Sequence, residues 1–123
     1  HVQDALHSPA KGSAERKAIM DALRFPVEKE LKQKLIFVTH SLKVQDGWAF
    51  LSGRPQQLNG KPVDYSITKH AEMVAEGMFD DGIVALLRKK GNAWRVVAYE
   101  IGCTDVCYED WWQKYNAPKA IFE

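Results

Sequence analysis

The sequence predicts an α+β fold: an N-terminal bent helix packed on a four-stranded antiparallel sheet of two hairpins, with a short C-terminal helix. Three observations predict it. Residues 83–101 are two apolar runs of strand length flanking Gly91-Asn92, a hairpin signal. Residues 34–51 repeat that pattern around Asp46-Gly47, a strong two-residue turn. Residues 18–23 instead place Ala18, Ile19, Ala22 and Leu23 at i, i+1, i+4 and i+5, one stripe of an amphipathic helix. Helix, hairpin, irregular excursion, hairpin and short helix make a helix-on-sheet layered design.

The helix is expected over residues 13–32. Ser13 is a candidate N-cap, and Glu15 falls in the first turn, where negative charge suits the helix dipole. Pro26 ends or kinks the helix, so one bent helix or two are expected. Val27 and Leu31 continue the apolar spacing of four, and Glu28, Lys29, Glu30 and Lys32 are assigned to water. Residues 34–45 form a strand with Ile36, Val38, His40, Leu42 and Val44 on one face by the period of two. The return strand opens at Trp48 and ends near Arg54-Pro55.

Residues 55–65 carry Asn59-Gly60 and two prolines and read as an exposed loop. Residues 66–76 suit a short helix with Ile67, Ala71, Val74 and Ala75 near one face and Gly77 as its C′ residue; 65–68 could equally be strand. In the second hairpin Val84, Leu86 and Arg88 alternate against Ile83, Ala85 and Leu87. Both faces are apolar, so this strand should be central and covered on both sides. On its partner Trp94, Val96, Ala98 and Glu100 alternate against Arg95, Val97, Tyr99 and Ile101. A tryptophan opens the return strand of each hairpin, which sheet-edge packing explains better than duplication. Thr104-Asp105 then starts a helix that places Tyr108, Trp111, Trp112 and Tyr115 on one face, until Asn116 and Pro118 stop it.

At 123 residues the chain fits one domain: a loose N-terminal arm at 1–12, holding His1 and His7, and a single α+β domain at 13–123. Apolar residues are 46% and charged residues 27%, ordinary for a globular domain. Seventeen basic residues against sixteen acidic ones give a net charge of +1, which argues against a nucleic-acid partner. No apolar run is long enough to span a membrane. The start His1-Val2-Gln3 suits a mature exported chain, periplasmic or secreted, or a trimmed one. Cys103 and Cys107 would have Cα atoms about 6 Å apart if the segment is helical, within disulfide reach. Two free buried thiols are the alternative. C-x-x-x-C is not the usual redox spacing, and a zinc site lacks two further ligands.

No nucleophile elbow, P-loop, dinucleotide fingerprint or zinc-protease motif occurs, and no residue set calls for a cofactor or a metal. His40 on an apolar strand face could serve as a general base, but a hydrogen-bonded strand histidine is the commoner case. His70, near Lys69 and Glu72, suits a solvated surface role. Asp80 and Asp81 precede Gly82, normal turn chemistry, yet paired carboxylates can also do acid–base work. Asp105, Glu109 and Asp110 suit a helix start by the same dipole argument. Tyr108, Trp111, Trp112 and Tyr115 are more aromatic surface than a short helix must bury, and such residues dominate binding hot spots. Trp111 and Trp112 point about 100° apart on a helix, so one should stay exposed.

The order of elements resembles the cystatin-like and NTF2-like α+β folds. Trp48-Ala49-Phe50, Gly77-Met78-Phe79-Asp80-Asp81, Ala85-Leu86-Leu87-Arg88, Trp94-Arg95-Val96-Val97 and Ile101-Gly102-Cys103-Thr104-Asp105-Val106 also resemble segments of small exported bacterial proteins of unassigned function. Those folds host enzymes, inhibitors, immunity proteins and ligand binders. The expectation is a non-catalytic binding module whose partner is a protein, with a tryptophan hot spot rimmed by Asp105, Glu109 and Asp110. The alternatives are an NTF2-like pocket between helix and sheet around His40, Asp80 and Asp81, or a structural accessory domain. The sequence leaves the oligomeric state open.

Overall fold

A four-stranded meander separates two apolar layers. The computed structural model describes residues 5–103 and 107–123. Its elements are α1 (Ala14–Leu31), β1 (Leu35–Gln45), β2 (Trp48–Gln57), a 3-10 turn (Tyr65–Ile67), α2 (Ala71–Ala75), β3 (Ile83–Lys90), β4 (Ala93–Ile101), α3 (Trp111–Lys114) and a last 3-10 turn (Lys119–Phe122). The sheet order is β1-β2-β3-β4, antiparallel at each step. This is the α+β fold expected. No helix among the described residues is long and apolar enough to cross a membrane.

Ser13 starts α1 by accepting the Arg16 N–H on its Oγ, and the helix ends at Lys32 in the left-handed region. It runs through Pro26 as one helix. Ile19, Leu23, Val27 and Leu31 form its buried stripe, each fully out of water and contributing roughly 1.5–3 kcal/mol by burial. Ala18, expected on that stripe, is exposed. Residues ahead of the helix lie along the sheet: His7 exchanges two main-chain hydrogen bonds with Val44.

β1 departs from strict alternation. Thr39 pairs with Gly53 and Ser41 with Ser52, so His40 is the extra residue of a bulge. The bulge exchanges faces: Leu35 and Phe37 before it, and Leu42 and Val44 after it, all pack on the α1 side. The expected face of Ile36, Val38, His40, Leu42 and Val44 is thus broken, with Ile36 and His40 exposed. Opposite the bulge the backbones nearly touch, and a Cβ at Gly53 would collide with the carbonyl oxygen of Val38. β2 continues past Arg54-Pro55 to Gln57. Pro55 is tolerated there because β2 pairs with β3 only as far as Gly53, leaving that side an edge.

β3 is covered on both sides, as expected. Ile83, Ala85 and Leu87 join the α1 core, and Val84 and Leu86 face the second one. A second bulge lies in β4, where Leu86 pairs with Ala98 and Leu87 with Val96, leaving Val97 over. Trp94, Val96, Tyr99 and Ile101 therefore face α1, while Val97 and Ala98 face away. Val84, Val96 and Val97 are half-buried. The two hairpin tryptophans are not equivalent: Trp94 belongs to the α1 core and Trp48 to the other.

That second core is Trp48, Phe50 and Leu86 covered by Trp111, Ala117 and Ile121. The expected C-terminal helix is shorter than the spacing implied. Thr104, Asp105 and Val106 lie outside the described residues, residues 107–110 form a turn, and Asn116 at φ 58° stops α3 after one turn. Cys103 and Cys107 form a disulfide with Cα atoms 6.3 Å apart.

Candidate functional site

The excursion between β2 and β3 is pinned from below. Gln33, just past α1, exchanges two hydrogen bonds with the main chain of Asp64, both 2.9 Å. Glu30 accepts from His70 Nε2 and from the Tyr99 hydroxyl, each at 2.8 Å, and Lys69 lies 3.6 Å away. Burial alone would raise the Glu30 pKa, but the His70 and Tyr99 hydrogen bonds and the Lys69 charge outweigh it and hold the carboxyl below its usual range. The Tyr65 hydroxyl donates to Asp81 at 2.6 Å. Burial first, then that carboxylate, pushes the Tyr65 phenol above its ordinary value. Phe79 packs on Tyr65 and His70 and lies against Gly102, where a Cβ would strike its ring. Glu30 and His70 are thus not the solvated surface groups their neighbours in sequence implied.

Residues 66–76 were expected to suit a short helix, with 65–68 equally open to strand. They split because Thr68 is extended and its hydroxyl bonds the Tyr65 carbonyl while accepting the His70 N–H. Gly77 takes the left-handed conformation at the end of α2, as the spacing predicted. The split leaves α2 with no buried residue. Ile67 is 50% exposed, Met73 43%, Val74 40% and Met78 55%. Four of the eight exposed large apolar residues among those described therefore fall within twelve positions, with exposed Glu72 and Glu76 beside them. A cluster of that kind on a held segment is the usual mark of a contact surface.

The aromatic stripe has a different fate. Trp111 is buried in the second core, T-shaped to Phe50 and Tyr115. Tyr108 is half-buried against Phe50, which also packs on Phe122. Trp112 is the half-exposed member of the adjacent pair, its ring covered by the Lys119 ammonium at 5.0 Å. Glu109 and Asp110 are exposed near it, and Asp110 makes no side-chain cap bond to α3. Asp105 lies outside the described residues.

His40, Asp80 and Asp81 do come together, lining a pocket of about 220 Å³ with Ser52, Glu100 and Tyr108. It adjoins the Cys103–Cys107 disulfide rather than opening between α1 and the sheet, where the layer is filled by Ile19, Leu23, Val27 and Leu31. Among the described residues no group of three His, Cys, Asp or Glu side chains is placed to hold a metal. Met73 and Met78 were not singled out from the sequence. The available signal was a run with more apolar side chains than a short excursion has neighbours to cover.

No family model, no curated protein and no solved structure matches this chain.

Proposed function

We propose that this chain is a non-catalytic binding module that takes another protein on the 67–78 face. The observation that carries the reading is the exposure of Ile67, Met73, Val74 and Met78 on a segment held by His70–Glu30 and Gln33–Asp64, while both sheet faces are filled. Methionines suit such a surface because they adapt to a partner's shape. Glu72 and Glu76 at the rim favour a partner with basic groups around an apolar centre. A helix laid on an antiparallel meander agrees with the cystatin-like reading, in which such a module acts as an inhibitor or immunity protein. The disulfide fits an exported, oxidising setting. A photo-crosslinking residue at position 73, used in extract of the source cells, should give a discrete protein adduct. The same probe at position 95, on exposed β4 surface, should not. Equal labelling from both positions, or none from 73, rejects the reading.

A second reading rests on the pocket lined by His40, Asp80, Asp81 and Glu100. In it the chain holds a small polar molecule, as NTF2-like proteins do in their own cavities. A ligand-induced rise in melting temperature that vanishes in both His40→Ala and Asp81→Ala would favour it over the first.

A further inference from the structure

We propose that the partner of the 67–78 face is a second copy of this chain, bound about a two-fold axis. The patch around Phe25 of each copy sits on the 67–78 face of the other. This rests on reading 67–78 as a protein-binding surface.

Phe25 is 77% exposed, more than any other large apolar residue among those described. It stands on α1 off the buried stripe of Leu23 and Val27. Beside it is a shallow hollow of about 490 Å³ lined by Phe25, Glu28, Lys29, Lys32, Gln33 and Lys34. Lys29 and Lys32 are exposed, and the Lys34 side chain is 81% so. The one acid in the hollow, Glu28, accepts the Leu35 N–H at 2.8 Å and lies 3.9 Å from Lys34. What this patch offers outward is an aromatic ring in a basic surround.

The 67–78 face has the opposite character: aliphatic and thioether side chains beside Glu72 and Glu76, with its lysine, Lys69, drawn to Glu30. Both patches are tied to the C-terminal part of α1. Gln33 lines the hollow and also binds Asp64 at the start of the excursion, and Glu30 on α1 holds His70. Two complementary patches carried on the same part of the molecule can form a self-complementary surface. A two-fold rotation sets each against its complement and closes the assembly at two copies. Phe25 would be received by Met73 and Met78, whose sulfurs pack well against ring edges. The lysines would meet Glu72 and Glu76 across the rim, fixing register and speeding encounter.

Light scattering on the purified full chain over a concentration series is the test. The parent should approach the mass of two copies as concentration rises, and dissociate more readily with added salt. Phe25→Ala should weaken association about thirty-fold or more, with a melting temperature equal to the parent's at concentrations where the parent is a single copy, since the ring packs on little in the single chain. Lys29→Glu/Lys32→Glu and Glu72→Lys/Glu76→Lys should each be monomeric alone, because each sets like charges face to face. Mixed in equal amounts they should form a heterodimer, since both contacts then join opposite charges. Restoration on mixing also shows that both variants are folded.

A parent that stays monomeric, a mixture that does not associate, or a mass that climbs past two copies overturns the proposal. A monomeric parent whose position-73 probe still captures a different protein overturns the second copy and leaves the binding face standing. A monomeric parent without that adduct rejects both.

Discussion

Glu30 serves two donors from different parts of the fold, His70 in the excursion and Tyr99 on β4, with Lys69 nearby. Its pKa is depressed in the folded chain, so its contribution to stability is present above the ordinary carboxyl range. That contribution is lost as pH falls through the lower folded value. Glu30→Gln should therefore cost about 1 kcal/mol near neutral pH, below the usual range for charged hydrogen bonds because the site is partly solvated. The difference from the parent should shrink at acid pH, below the ordinary carboxyl range, as the parent's own carboxylate protonates. Urea titrations at both pH values measure it. A pH-independent difference would mean that the carboxylate charge is immaterial. Nothing in the spacing of residues 28–32 reveals this role, because both partners arrive from far along the chain.

The elements divide into those set by local pattern and those set by a neighbour. Ser13, Asp46-Gly47, Gly77 and Gly91-Asn92 are local signals, and each stands where the spacing placed it. The faces of β1 and β4 were not legible, because one extra residue, His40 or Val97, reverses every side chain beyond it. A bulge depends on the opposing strand, which period-two counting along one strand does not see. The aromatic stripe divides for a related reason. Spacing read Tyr108, Trp111, Trp112 and Tyr115 as an excess; the far side of β2 and β3 takes Trp111, Tyr108 and Tyr115 as its cover and leaves Trp112 half-exposed. The candidate site was legible only in fragments: His40, Asp80 and Asp81 do meet, while Phe25 and the two methionines were not singled out by any spacing. Leu86 is fully buried in the second core, so Leu86→Ala should cost about 2–5 kcal/mol. Chemical denaturation reads it, and an unchanged midpoint would show that the second core adds nothing to stability.

At the scale of the molecule, the sheet is the middle of three layers, and its outer cover on one side is irregular chain rather than a long helix. Ending the chain at residue 107 should uncover Trp48, Phe50 and Leu86 together, a larger apolar area than a monomer commonly shows. The shortened chain should bind a hydrophobic dye and lose its cooperative melt. A sharp melt without dye binding would show that the cover is dispensable.

The distances between partners along the chain bear on how it is made. A meander can zip in the order of its synthesis, each strand beside the one before it. Neither face is completed that early. Glu30 waits for Tyr99, 69 positions on, and Lys43 on β1 waits for the main-chain oxygen of Glu123, 80 positions on. The α1 face has its helix from the outset, whereas the far face stays bare until residues 108–122 follow β4.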